Sequence, residues 1–180
     1  FYYYYFIKGN KSLLLIQLYI YIKKMSNITS TDAYLNTWLE RLPKQTRTEE
    51  FRLLPLHEQF HRPALLTPDA VAVVDDKRSL TYEELNLRVL ALGEHLRTRF
   101  NVGLDSPVGV YMEPSVNYMI SLMAAMSAGG CFVTIESSFP LNKIREVVDD
   151  SQVKVILTTR AFATKLKKIY FNNTSIGKKC

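Results

Sequence analysis

A chain of 180 residues with only two cysteines is not a disulfide-built scaffold. Seven glycines and seven prolines exclude collagen-like and linker-like compositions. No G-x-G and no G-K-S/T occurs anywhere, so the usual glycine-rich phosphate cradles are missing. Acid is also missing from both ends. Residues 1–24 carry four lysines and residues 161–180 carry five, with no acid in either stretch. All 17 acidic residues fall between Asp32 and Asp150, so the three regions carry +4, −3 and +5. The net charge of +6 therefore belongs to the ends, and the middle offers no basic face of the kind nucleic-acid binding needs.

What is present is a chain with enough apolar content, 47%, to build a core and escape disorder. Residues 1–24 (FYYYYFIKGNKSLLLIQLYIYIKK) hold six of the eleven tyrosines. The apolar run Leu13–Ile22 is too short to span a bilayer and ends in Lys23-Lys24 without a small-residue cleavage site. Extending it back to Phe1 would bury Lys8, Asn10 and Lys11, which is costly. A signal or membrane anchor is the weaker reading. The composition is what AT-rich non-coding DNA encodes, and we expect residues 1–24 to be translated upstream sequence, with Met25 as the start. Lys165–Cys180 has the same flavour, and 161–180 is read as a tail of uncertain origin. Sequons at Asn10, Asn27, Asn172 and Asn173 matter only in a secreted protein.

The middle alternates. Residues 32–42 fit a short amphipathic helix closed before Pro43, and 43–52 are polar and linker-like, so 25–52 form a leader. Another short helix fits Leu56–Leu66, bounded by Pro55 and interrupted by Pro63. Ala70–Val74 and Ser79–Tyr82 suit two strands across a polar turn. Thr81–Glu84 is a capping box, followed by Leu85, Val89, Leu92 and Leu96 on one helical face. Val108–Met112, Cys131–Ile135 and Val153–Leu157 read as strands, the first two separated by an apolar helix that Pro114-Ser115 opens and Gly129-Gly130 stops. Pro140–Asp150 is a helix with Ile144, Val147 and Val148 inward. Strands and helices at this spacing predict an α/β fold with a mostly parallel sheet flanked by helices.

Chemistry is scarce. His57-Glu58-Gln59-Phe60-His61 matches H-E-x-x-H, in which two imidazoles one helical turn apart bind zinc and the glutamate acts as base. Glu83 or Glu84 would be the third ligand. The flanking prolines make the context poor, and two surface histidines are the plainer expectation. Asp75-Asp76 and Asp149-Asp150 read as solvated turn and helix-end carboxylates, and Cys131 as a small core residue. His57, His61 and His95 assemble no catalytic set with a serine or cysteine.

Two segments taken together carry a resemblance. L-T-Y-E-E-L, Leu80–Leu85, resembles the first core motif of the AMP-forming adenylating enzymes: the adenylation domains of nonribosomal peptide synthetases and the acyl-CoA synthetases. M-S-A-G-G-C-F-V-T-I-E, Met126–Glu136, resembles their second, followed by S-S-F-P-L-N-K-I, Ser137–Ile144, and preceded by L-H-E-Q-F and T-P-D-A-V-A-V-V. It departs from the family pattern at Ser127, Cys131, Thr134 and Glu136. The resemblance covers about Leu53–Thr159 and implies that 53–160 are the opening part of a large adenylation-domain core.

It also implies an activity. ATP adenylates a carboxylic acid, an amino acid first among candidates, and a phosphopantetheine thiol then takes the acyl group, with Mg²⁺ on the phosphates. The partners it implies are the remainder of the adenylation domain and a downstream carrier domain; the setting is cytoplasmic. Leu80 and Leu85 should be core, Tyr82 a packing anchor and Gly129 a close-approach position. The family's phosphate loop and catalytic lysine lie beyond its second motif, and the only glycine after Gly130 is Gly177. We therefore assign no catalytic, cofactor-binding or metal residue, and expect the chain alone to be inactive and to bind no cofactor. We also expect it to aggregate through open strand edges and an uncovered Val116–Met126 helix. The rivals are a zinc metallopeptidase-like protein using His57, Glu58 and His61, and a non-catalytic interaction module.

Overall fold

The computed structural model of the protein describes residues 4–7 and 55–171. The expected 32–42 helix, the 43–52 linker and all four sequons lie outside the described residues. The elements in chain order are β1 (Tyr4–Ile7), α1 (Leu56–Leu66), β2 (Val71–Asp75), β3 (Arg78–Thr81), α2 (Tyr82–Phe100) and β4 (Pro107–Tyr111). They continue with α3 (Val116–Ser127), β5 (Cys131–Thr134), α4 (Leu141–Asp150), β6 (Val155–Thr158) and α5 (Arg160–Phe171).

The main sheet runs β1-β6-β4-β5. β4 is parallel to β5 (Val108↔Phe132) and to β6 (Val110↔Leu157). The fold is thus α/β with the parallel arrangement expected, and with one antiparallel strand, β1, added at the β6 edge (Phe6↔Ile156). β2 and β3 form a separate antiparallel hairpin.

Period-two alternation sorts the strand side chains onto two faces. Val108, Val110, Val155 and Leu157 point to one face, where they pack with Leu85, Val89, Leu92 and Leu96 of α2 and Ile120, Ala124 and Ala125 of α3. Tyr111 and Ile156 point to the other, where they meet Ile144 and Val148 of α4 and Phe162, Leu166 and Ile169 of α5. With both faces covered, β4 and β6 must be apolar at nearly every position, and they are.

Local chemistry sets the helix starts. Thr81 caps α2 with a full capping box: the Glu84 N–H donates to Thr81 Oγ1 and the Thr81 N–H to Glu84 Oε2, each at 3.2 Å. Ser115 Oγ accepts from the Tyr118 N–H at 3.2 Å and starts α3. α3 ends at Gly129, whose φ of +89° is the left-handed conformation a helix stop demands.

Several expectations need correction. α1 runs through Pro63 for all 11 of its residues, because the buried face formed by His61 and Ala64 outweighs one lost backbone bond. The α3 helix is not uncovered: Val116, Ile120, Ala124 and Ala125 are buried, and Gly93 of α2 lets the two helices approach so closely that a Cβ there would sit 3.2 Å from the Ala124 carbonyl. The close-approach glycine is Gly130 rather than Gly129. A Cβ on Gly130 would lie 2.6 Å from the Ser106 carbonyl, whereas the nearest atom to one on Gly129 is 3.6 Å away. Cys131 is exposed, because β5 ends the sheet, and its Sγ sits 3.7 Å from the Asp105 carbonyl. Residues 160–171 form α5, which buries Phe162, Ala163, Leu166 and Ile169. Among the described residues no helix is long and apolar enough to cross a membrane.

Candidate functional site

In a parallel sheet whose crossovers leave on opposite faces, ligands bind beyond the carboxyl ends of the strands, where the loops part. Here α3 follows β4 onto one face while α4 and α5 follow β5 and β6 onto the other. The loops at that edge are 112–115, 135–140 and Thr159. Thr158, buried at the end of β6, donates its hydroxyl to the Tyr111 carbonyl at 2.7 Å and ties the ends of β4 and β6 together. Beneath the edge the buried Tyr111 ring meets Phe162 edge-on at 4.8 Å. Its phenol has no hydrogen-bond partner among the described residues, and burial, helped by Glu113, pushes its pKa up.

The edge itself presents the exposed carboxylates Glu113 and Glu136, the exposed hydroxyl of Ser138 and the half-buried hydroxyls of Ser137 and Thr159. Ser115 is committed to capping α3. These loops contain no histidine, lysine or cysteine. They hold no nucleophile paired with a base and no cluster of backbone N–H groups on glycines, so they form a wall with acceptors rather than a phosphate cradle.

Two polar joints lie next to this edge. Asp75 Oδ1 accepts from the Lys77 and Arg78 N–H groups at 2.9 and 3.0 Å, and its Oδ2 accepts from the Val116 N–H at 2.9 Å. One carboxylate thus closes the β2–β3 turn and anchors it to the first turn of α3. The Val116 N–H, then that of Lys77, holds its pKa below the usual carboxylate range. Arg78 donates to Asn117 Oδ1 across the same seam. At the second joint His61 of α1 is hydrogen-bonded through Nδ1 to Asn86 Oδ1 of α2, with both residues buried. Burial is the main cause lowering the His61 pKa, so the imidazole is neutral near pH 7.

These placements decide between the candidates raised by the sequence. His61 is a buried interhelical partner, not a surface residue, and its burial follows from lying on the α1 face that meets α2. Glu84 belongs to the capping box and Glu83 is exposed on the first turn of α2. Among the described residues no three of His, Cys, Asp and Glu are gathered to hold a metal, which leaves the zinc reading without support. His95 is buried against Phe100 with its pKa lowered by burial. Asp75 is not a solvated turn residue but a three-donor anchor, while Asp76, Asp149 and Asp150 are exposed. Leu80 and Leu85 are core, as expected, and Tyr82 packs on Phe60 with ring centroids 5.8 Å apart. Sequence reasoning missed Asn86 and Thr158, two polar residues inside apolar runs whose only signal was that a polar group there needs a partner. Elsewhere, an open groove of about 560 Å³ along α4 and α5 is lined by Leu141, Arg145, Glu146, Asp149, Lys168 and Ile169, with charges of both signs.

Comparison with known proteins gives consistent results. The profile of the AMP-binding enzyme family matches residues 60–177. The chain is 38% identical over 106 residues to tyrocidine synthase 1 of Brevibacillus parabrevis, covering 59% of this chain and 10% of that protein. It is 32% identical over 127 residues to gramicidin S synthase 1 of Brevibacillus brevis, covering 71% of this chain and 12% of that protein. Among solved structures, the nonribosomal peptide synthetase FmoA3 (S1046A) in its alpha-methyl-L-serine-AMP bound form superposes with a TM-score of 0.60 at 29% identity, covering 62% of this chain and 13% of that one. The chain therefore spans only about a tenth of the length of these two curated relatives.

Proposed function

Because the chain belongs to the AMP-binding enzyme family, we propose that it forms the opening part of an adenylation domain that activates a carboxylic acid, an amino acid first, and passes it to a thiol. The observation that carries this reading is the family match over residues 60–177. The alpha-methyl-L-serine-AMP held by the FmoA3 relative, an acyl adenylate, supports the chemistry.

A carboxylate is a poor electrophile because its oxygen leaves badly. In the proposed first step a carboxylate oxygen attacks the α-phosphorus of ATP, the bond to the β-phosphate breaks, and pyrophosphate departs. The product is an acyl–AMP mixed anhydride. In the second, a phosphopantetheine thiolate attacks the carbonyl carbon and AMP leaves with the electron pair. Each transition state gathers negative charge that the enzyme must meet with donors or cations. The described residues do not fit a Mg²⁺ site, since no three acidic or histidine side chains converge among them, and no step is assigned to a metal. The role of this chain is architectural: β4, β5 and β6 hold the carboxyl edge, and the joints at Asp75 and His61 fix the hairpin and α1 against α2 and α3. The 180 residues alone make no adenylate, and the protein works in the cytoplasm beside a carrier domain.

The test is amino-acid-dependent exchange of labelled pyrophosphate into ATP by the full-length protein. Exchange with one or a few amino acids is expected. Exchange only with fatty or aryl acids moves the substrate class, and none with any carboxylic acid overturns the reading. Exchange above blank by the 180-residue chain overturns its architectural role.

A further inference from the structure

We infer that the outer edge of β6 is a strand-acceptor site and that Tyr4–Ile7 is its resident, exchangeable occupant. This inference is independent of the proposed adenylation chemistry. β6 is four residues of continuous burial, Val155 to Thr158, with helices on both faces. A strand of that kind belongs inside a sheet, because an open edge would leave unpaired N–H and C=O groups beside buried apolar side chains. On one side β4 pairs with it in parallel; on the other β1 pairs in antiparallel register, Tyr4↔Thr158 through Ile7↔Val155.

Three observations mark β1 as an addition rather than as part of the parallel core. It is the sole antiparallel strand of the main sheet among the described residues. It lies outside the stretch that matches the family profile, residues 60–177. It is only four residues long and is separated from α1 by residues 8–55. A short extended segment adding to a sheet edge is strand augmentation, in which backbone hydrogen bonds supply the affinity. Its bonds alternate in direction, so one of any two adjacent β1 residues donates to β6. Four residues of pairing make an occupant that exchanges with an identical peptide in solution.

Hydrogen exchange of the Val155–Thr158 amides in the 180-residue protein tests this. Half of these amides face β4 and serve as the internal control. Replacing Tyr5 and Phe6 together by proline removes the donor whichever residue supplies it. The amides facing β1 are then expected to exchange about tenfold faster or more, while those facing β4 stay slow. A chain lacking residues 1–7 should behave alike. A peptide of residues 1–8 added to either variant should restore the slow exchange and, labelled with a fluorophore, bind them in preference to the unaltered protein. Equal exchange in all three chains overturns the inference, as does failure of the peptide to protect. A dimer of the unaltered protein that dissociates on removal of residues 1–7 assigns the strand to a second copy and overturns it too.

Discussion

The two faces of the sheet are built by different means. On the α2–α3 face, directed polar contacts lie above the apolar core: the Thr81 capping box, the Asp75 anchor to Val116, the Arg78–Asn117 contact and the His61–Asn86 pair. On the α4–α5 face, both helices rest mainly on apolar packing. α4 starts at Pro140 with no side-chain cap, and Asp149 and Asp150 stand at its C-terminal end, where the helix dipole disfavours them. A polar tie does join α4 to α5, with Arg145 donating to the Ile169 carbonyl at 2.6 Å. Both faces bury leucines and isoleucines completely. Apolar burial thus supplies adhesion on either side, while polar contacts fix register and angle chiefly on one.

That contrast is broken most forcefully from the core. Leu92 of α2 and Leu166 of α5 are both fully buried, and truncating either to alanine should cost about 2–5 kcal/mol by urea denaturation. If the faces differ as described, Leu166→Ala frees α4 and α5 to open on their own, while Leu92→Ala loosens the whole molecule. Hydrogen exchange by segment reads the difference: opening confined to 141–171 in the first case and spread across 56–127 in the second. Identical patterns would erase the distinction. Next comes the turn between α3 and β5. Gly130→Ala forces a Cβ against the Ser106 carbonyl, a backbone atom that has no rotamer to yield, and should cost about 2–3 kcal/mol. Gly129→Ala suffers only from a left-handed backbone, about 1–2 kcal/mol. The reverse order would show that conformation, not space, governs that turn. Thr81→Ala removes a cap on the polar face and should cost about 1 kcal/mol in the same assay.

The sequence made the α2–α3 face far more legible than its counterpart, and the reason is the same contrast. T-Y-E-E announces a helix start because its side chains bond to backbone three residues away, a purely local event. Ser115 and Gly129 are legible for the same reason. Leu85, Val89, Leu92 and Leu96 declare their face by spacing alone. The joints between elements were not legible: Asp75 looks like any turn aspartate until α3 arrives beside it, and His61 like a surface residue until Asn86 meets it across 25 positions. Cys131 misled because an apolar run does not say whether its strand is central or terminal. Gly129 and Gly130 are adjacent, and only the fold reveals which one touches Ser106. α5 was obscured by composition: Lys165, Lys167 and Lys168 looked like a basic tail, yet they line the outer face of a helix whose inner face is Phe162, Leu166 and Ile169. β1 carried no alternation or turn signal at all, so only pairing with β6 identifies it.

The smallest expected effect is also the one that isolates a single polar joint. Asp75→Asn keeps the shape of the side chain but removes the charge that three backbone N–H groups address, so it should lower the melting temperature modestly at neutral pH. The pH dependence gives the joint its signature. The carboxyl has a lower pKa folded than unfolded, so the folded state favours the deprotonated form. Its contribution is complete above the unfolded value of about 4 and is lost as pH falls through that value toward the folded one. The gap in melting temperature between the native protein and Asp75→Asn should therefore be constant from pH 7 to about pH 5 and close below pH 4. His61 acts in a separate window. Its lowered pKa makes the folded state reject a proton that the unfolded state accepts, so it costs stability as pH falls through about 6.5, in both proteins equally. Subtracting one melting curve from the other removes the histidine. A gap that stayed open at pH 3 would mean that Asp75 holds the hairpin to α3 by shape rather than by charge, and the polar character assigned to this face would then rest on Thr81, Arg78 and His61 alone.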